Sequence, residues 1–386
     1  MPLILALSIA CFAGAISIRL IDPIIPDIAR AFMVEPAVAA LLVSAFTFPY
    51  ALGQPILGPL GDSIGKVRVI KAGLGVLTVC LALTAIAPDF ETMVVVRALG
   101  GLAGGAIIPV ALAMVGDRVA YDQRQVALSK ILSAMLMAQF VSLIGSGLVA
   151  DLIGWRYSLG LGALISAIAF VISMFSLKPR NVQREPFTIS GLKSNYAEVF
   201  ANPLALVCFI AVFVEGVLIF GILPYVAILL EKTGRGGVFE AGFVIAGLGI
   251  GGLVYTTVVR RVLVRLGGML RLITFGGTFA AFGFLGIALQ APWPAEALAF
   301  GVLGFGFYAI HNSLQTQATE LAPHHRGSAV ALHAFFFFLG HAAGPPLYAL
   351  AFDTIGVQAT LSVAAVAAVC GGLLLSRLLG RRADGK

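Results

Sequence analysis

Charge is scarce in this chain. Asp, Glu, Lys and Arg make up 11% of its 386 residues, apolar types supply 60%, and the mean hydropathy is +1.02. Soluble domains carry about 25% charged residues, so a water-facing surface over a chain of this size is excluded. Cysteine is scarce as well: Cys11, Cys80, Cys208 and Cys370 lie singly in apolar stretches. None is spaced for metal binding or redox exchange, and they read as small core residues. No phosphate-binding P-loop, HExxH or partnered GxSxG occurs, so ATP-driven and hydrolytic chemistry have no residues to perform them. Gly247-Leu-Gly249-Ile-Gly251-Gly252 matches a dinucleotide-binding spacing, but with no strand before it the segment reads as a small-residue helix face. The His, Asp and Glu residues show no metal-ligand spacing, and no cofactor is expected.

Long apolar runs are what the chain has in abundance. A bilayer is spanned by about 20 residues of helix, and twelve such runs fall near 3–28, 37–60, 69–87, 92–116, 128–151, 157–177, 203–231, 238–262, 269–290, 295–320, 327–352 and 357–379. The first runs into Pro23 and Pro26 without a small-residue cleavage site and reads as a span, not a signal peptide. The 45 glycines and 18 prolines suit helices that pack closely and bend in lipid.

The net charge of +7 invites a nucleic-acid reading, but its distribution argues against one. Of the 25 Lys and Arg residues, 19 lie in or beside the segments that follow even-numbered runs. Only Arg30, Arg156, Lys232 and Arg235 follow odd-numbered runs, and Arg19 and Arg97 fall within spans. That asymmetry is the positive-inside pattern and predicts an even number of spans with both termini cytoplasmic.

Segment 178–201 is the longest polar stretch. It divides the chain into a six-span bundle at 1–177, a cytoplasmic central loop at 178–201 and a second six-span bundle at 202–386. An internal echo supports the division. Gln123-Arg124, an apolar run and Ile153-Gly154 recur as His325-Arg326, an apolar run and Ile355-Gly356. Such repeats imply two similar bundles with the substrate path between them.

Charged groups at mid-bilayer cost roughly 2.5–3.5 kcal/mol each on insertion scales, so each is a functional candidate. Arg19 and Asp22 lie three residues apart on one helix face ahead of Pro23. They fit either an ion pair holding the helix mouth or a protonatable acid tuned by an arginine that meets an anionic substrate group. Glu215 stands in the seventh run with no cation within a turn and reads either as an unpaired carboxylate that faces the cavity and binds and releases a proton, or as a buried hydrogen-bonded glutamic acid. Tyr308, His311, Asn312 and Gln315 cluster in the tenth run, offering polar groups beside the aromatic wall of Phe305 and Phe307. Interhelical hydrogen bonding is their alternative role. His333 and His341 flank Phe335–Phe338 and read first as packing or bundle-contact residues, with a pH role as the alternative because histidine titrates near physiological pH.

Gly58-Pro-Leu-Gly-Asp62-Ser-Ile-Gly65-Lys66-Val-Arg68 is a polar, basic turn between two apolar runs. It resembles motif A of the major facilitator superfamily in Gly58, Asp62, Gly65, Lys66 and Arg68; Ser63 and Val67 stand where the family usually has cations. Arg260-Arg261-Val-Leu-Val264-Arg265-Leu-Gly267 is a worn second copy. Arg97-Ala-Leu-Gly100-Gly-Leu-Ala-Gly104-Gly105 is similar to the family's motif B. Gly154-Trp155-Arg156 also looks like the family, whereas Gly145-Ser146-Gly147 lacks the proline usual in its antiporter branch. The resemblance spans the whole chain. It implies an all-α polytopic membrane protein of twelve transmembrane helices in two six-helix bundles, working by alternating access. Motif A is then a conformational latch, with Asp62 held by Lys66 and Arg68, and Arg97 takes the family arginine's part in proton coupling beside Asp22 and Glu215. A structural arginine bonded to backbone carbonyls at a helix bend is the alternative for Arg97.

The expected function is proton-coupled efflux of small lipophilic or amphipathic compounds, driven by the proton gradient. The substrate contacts are then Arg19, Asp22, Glu215, Tyr308, His311, Asn312 and Gln315. A carrier of a specific, anionic metabolite using Arg19 is the alternative, and a non-transporting membrane receptor on the same fold is the reading from another class. An enzyme is not expected. The partners are a small molecule, protons and the lipid bilayer, without nucleic acid, in a monomer. The simple organisation suits a bacterial inner membrane.

Overall fold

A computed structural model describes residues 1–179 and 188–380, with the side chain of Asp62 among those left outside the description. Segment 180–187 and the cations Arg381, Arg382 and Lys386 also lie outside the described residues. The described residues are helical with turns and contain no strand. Among the described residues, twelve helices are long and apolar enough to cross a bilayer. They are α1 (Leu3–Phe32), α2 (Pro36–Ile64), α3 (Lys66–Ala85), α4 (Phe90–Arg118), α5 (Tyr121–Ile153) and α6 (Trp155–Ser176). A second set follows: α7 (Ala205–Lys232), α8 (Val238–Leu266), α9 (Met269–Ala288), α10 (Trp293–Glu320), α11 (Arg326–Ile355) and α12 (Val357–Gly380). Helices dominate because lipid offers no partner for a free N–H or C=O, and a helix satisfies its own. Leu152, Phe175, Leu298 and Val366 stand exposed on the spans, a surface that only lipid covers favourably.

The chain divides into two compact units, Met1–Ser194 and Asn195–Lys386. The same pairings recur within each: first span with fifth, second with fourth, third with fourth and sixth. Turn chemistry recurs too. Gly65 (φ 105°) joins α2 to α3 and Gly267 (φ 74°) ends α8, while Gly154 (φ 108°) and Gly356 (φ 80°) follow α5 and α11. Only a residue without Cβ takes such φ cheaply, so each glycine stops one helix and starts the next within one or two residues. Arg68 Nη1 donates to the Ile64 carbonyl (3.5 Å), and Arg271 Nη1 to the Leu266 carbonyl (3.2 Å). Each cation thus meets the negative end of the helix before it.

Two expectations are corrected. Segment 58–68 is not an open turn: α2 stays helical to Ile64 and the reversal is confined to Gly65. The 178–201 loop contains a helix, Ile189–Ala201, whose Tyr196 and Val199 pack with Phe209, Leu314 and Leu321 of the second unit. Its apolar face, spaced three and four residues apart, is what the polar composition of the stretch hid.

Prolines and small residues set the interior geometry. Asp22–Ile24 forms a 3-10 turn in α1 where Pro23 interrupts the ladder, and the helix resumes at Ile25. In α4 the helix breaks between Gly104 and Ile107. Pro109 has no N–H to offer the carbonyl of Gly105, four residues earlier. Gln54 of α2, itself buried, donates its Nε2 to that carbonyl at 3.2 Å. The Gly247–Gly252 segment is the small-residue face the spacing predicted. A Cβ on Gly251 would collide with the Gly301 carbonyl of α10, so the two backbones meet where side chains would hold them apart.

Two intramembrane polar clusters as candidate functional sites

Among its described residues, the first unit buries three charged side chains among apolar ones. Arg19 Nη1 lies 3.4 Å from Asp22 Oδ2, the Arg 5% and the Asp 0% exposed. Asp22 opens the 3-10 turn, so the loosened backbone there lets its carboxylate turn back three residues onto Arg19. The second Asp22 oxygen, Oδ1, has no hydrogen-bond partner. Arg97 of α4 is fully enclosed: Nη1 donates to the Ser17 carbonyl (3.3 Å), Nε to the Leu42 carbonyl (3.5 Å), and the guanidinium lies 4.2 Å from the Phe46 ring. Its Nη2 has no partner. Arg97 therefore ties α4 to α1 and α2 through backbone oxygens, and its charge acts on Asp22 through the interior. The glycines after it let α4 approach α2 closely enough for this reach.

The second unit holds the other cluster. Glu215 is buried and hydrogen-bonded, the second of its two readings, and not unpaired: its Oε2 lies 2.7 Å from His311 Nδ1, joining α7 to α10. Its Oε1 has no partner. His333 of α11 sits behind His311, ring centroids 5.2 Å apart, buried and with Nε2 unpartnered. Phe307 and Phe337 flank His311 at 5.1 and 4.5 Å. His341 is turned away onto Phe220 (3.9 Å) and Phe337 (4.3 Å).

Local backbone explains how Glu215 reaches inward. Immediately after it α7 widens into a π turn, Gly216–Phe220, followed by a 3-10 turn at Leu223–Tyr225 around Pro224. Such turns shift carbonyls out of register and concentrate at functional positions. The distortion is held from α11: Tyr348 Oη donates to the Leu218 carbonyl (2.7 Å), and Tyr225 Oη donates to that of Pro345 (2.8 Å). A Cβ on Gly340 would collide with the Phe213 carbonyl, so α11 lies directly against α7 beneath Glu215.

The other expected substrate contacts are spread along α10. Tyr308, His311, Asn312 and Gln315 share one helical face, but only His311 meets Glu215. Tyr308 packs on Phe307 at 4.9 Å, Asn312 bonds the side chain of Tyr255, and Gln315 is exposed. At motif A, Lys66 Nζ pairs with Asp117 at the end of α4 (2.5 Å). Lys71 and Arg118 donate to the Met174 and Lys178 carbonyls at and beyond the end of α6 (3.0 and 3.1 Å). The expected role of Asp62 falls on a side chain outside the described residues. Asp117 and Gln54 carry no expectation from the sequence. A lone amide between Pro49 and Pro55 is the available signal for Gln54.

Two bundles of six spans with buried acids and bases define a polytopic membrane transporter. The solved structure of a D-xylose–proton symporter superposes with a TM-score of 0.73, covering 97% of this chain and 95% of its own, at 15% identity; the likeness is one of fold. The sequence model of the Major Facilitator Superfamily matches residues 7–345. The chain belongs to that superfamily. It is similar to the MFS-type transporter YwfA of Bacillus subtilis, 24% identical with 96% of this chain and 90% of the relative covered. It is also similar to Multidrug resistance protein 1 of the same bacterium, at 22% identity with 89% and 87% covered. These relatives are transporters, and this chain is a multi-pass membrane transporter, not an enzyme.

Proposed function

We propose that this protein is a secondary transporter that exports small lipophilic or amphipathic organic compounds in exchange for protons. The observation that carries the reading is the Glu215–His311 contact, a carboxylate and an imidazole 2.7 Å apart inside spans α7 and α10, with Phe307 and Phe337 beside it. Such a pair holds a proton without leaving a bare charge in lipid. The aromatic wall suits an apolar compound better than a sugar that needs many hydrogen-bond partners. Similarity to a protein named for multidrug resistance supports the direction.

In this reading both termini are cytoplasmic, the protein acts as a monomer in a bacterial inner membrane, and the proton gradient is its only energy source. Asp22 and Arg97 contribute to coupling from the first unit. Motif A biases the equilibrium between access states, and Asp62→Asn slows transport with little change in substrate affinity. The test is proton movement in energised inverted vesicles, followed with a pH-sensitive dye against lipophilic cations and neutral metabolites. Proton release on adding a compound, lost in Glu215→Gln, is the expected result. Silence with every compound, from folded protein, overturns the efflux reading.

A specific anionic substrate is the second reading. It is favoured by the first unit's two buried guanidiniums, Arg19 and Arg97, which face one buried acid among the described residues, Asp22. Carboxylates added to the same vesicles distinguish the two readings.

A further inference from the structure

We infer that Glu215, His311 and His333 act as one three-group unit holding a single proton, with His333 as its far station. The inference rests on the proton-coupled reading and adds the residue that shares the proton behind Glu215. Three observations converge on it. Glu215 Oε2 is already hydrogen-bonded to His311 Nδ1, which leaves Nε2 as the free side of that ring. His333 stands next, centroid to centroid at 5.2 Å, and its buried Nε2 has no other partner to explain it. Neutral buried imidazoles ordinarily satisfy both ring nitrogens. Third, α11 carries His333 and also grips the π turn after Glu215 through Gly340 and Tyr348. Any shift of α11 against α7 therefore changes the histidine line and the glutamate's backbone together.

From α10 the group facing Glu215 is His311, and His333 of α11 faces His311 in turn; His341 packs on Phe220. Beside the first turns of α7 (residues 205–212), α12 brings Leu375 and Leu379. Two imidazolium charges about 5 Å apart in an apolar surround repel strongly, so the line takes one proton at a time. In the transfer, Glu215 gives its carboxylic proton to His311 Nδ1, leaving carboxylate and imidazolium. His311 then gives up its Nε2 proton to His333, which ends as the cation while His311 is neutral again as the other tautomer.

The experiment uses full-length protein in proteoliposomes and carbodiimide modification, which marks a protonated intramembrane carboxyl and requires no transported compound. Modification of Glu215 is read by mass spectrometry across pH for wild type, His333→Gln and His341→Gln. If His333 competes for the proton, its removal leaves the proton on Glu215 more of the time. The extent of Glu215 modification in His333→Gln, at pH values where the unit holds its proton, then rises by about twofold or more, while His341→Gln is modified as wild type. Equal extents of modification in all three proteins, or no modification of Glu215 at any pH, overturn the inference. Far-UV helicity and thermal unfolding establish that the His333 variant is folded, and His333→Asn provides a second substitution if it is not. Raised modification without compound-driven proton release would uphold the proton unit and reject efflux. Proton release without raised modification would do the reverse.

Discussion

Removing the amide of Gln54 tests the account of the break in α4 most directly. The Gly105 carbonyl lacks its helical donor because residue 109 is proline, and Gln54 Nε2 takes that place at 3.2 Å. Gln54→Leu keeps the volume and strands a buried carbonyl. Stranding a buried acceptor costs about 1–3 kcal/mol in proteins, and interhelical bonds within membranes average about 0.6 with a maximum near 1.7. The expected loss is therefore about 1–1.5 kcal/mol. Pro109→Ala supplies the missing N–H. Gly105 (φ −58°, ψ −21°) and Ala106 (φ −78°, ψ −28°) keep near-helical dihedrals, so the Gly105 carbonyl already points along the axis towards residue 109. With Pro109→Ala already in place, Gln54→Leu should cost less than about 0.5 kcal/mol. Reversible unfolding in mixed micelles, run as a double-mutant cycle, measures both values. Equal costs in the two backgrounds would refute the reasoning, because the amide would then be stabilising something other than the carbonyl Pro109 leaves bare.

Four further outcomes follow from the same structure. Gly251→Ala should destabilise by about 1–3 kcal/mol, the range for overpacking, since its Cβ collides with the Gly301 carbonyl. Gly301→Ala, whose Cβ would find ordinary contact at 3.7 Å, should fall within about 0.5 kcal/mol of wild type in the same unfolding assay. Asp89 caps α4 by accepting the Thr92 N–H at 2.7 Å, which holds its carboxyl below the ordinary 3.8. A lowered folded value means the contribution is complete above that ordinary value and is lost as pH falls through the lowered one. The difference in melting temperature between wild type and Asp89→Ala should therefore be present at about pH 6 and shrink in acid; a constant difference would remove the cap as its cause. Asp117→Asn breaks the exposed pair with Lys66 and should change stability by less than about 1 kcal/mol, while Glu215→Gln should abolish proton release without unfolding the protein.

Much of the fold was legible because the bilayer reads a simple property. Every span must satisfy its own backbone across a fixed thickness, so run length alone delivers the number of helices. Glycines placed at Gly65, Gly154, Gly267 and Gly356 announce where they stop. The errors fell where composition and periodicity disagree. Residues 58–64 look like a turn, with two glycines, a proline and an aspartate, yet continue the helix, because only Gly65 has the dihedral that ends it. The stretch 178–201 looks like a loop by polarity and conceals a helix with one apolar face.

Composition and run length were enough to read the class, the twelve spans and which polar side chains fall within them, because burying a charge in lipid is costly enough that each survivor stands out. The sequence by itself could not determine which of those side chains meet. Spans that are apolar towards both lipid and protein carry almost no facial signal, so nothing along the chain says that Glu215 turns to a histidine 96 positions away, or Arg97 to the carbonyl of Ser17. Those partnerships depend on how closely glycine-faced helices approach and on where prolines and the π turn release a backbone group, and only the packed bundle decides that.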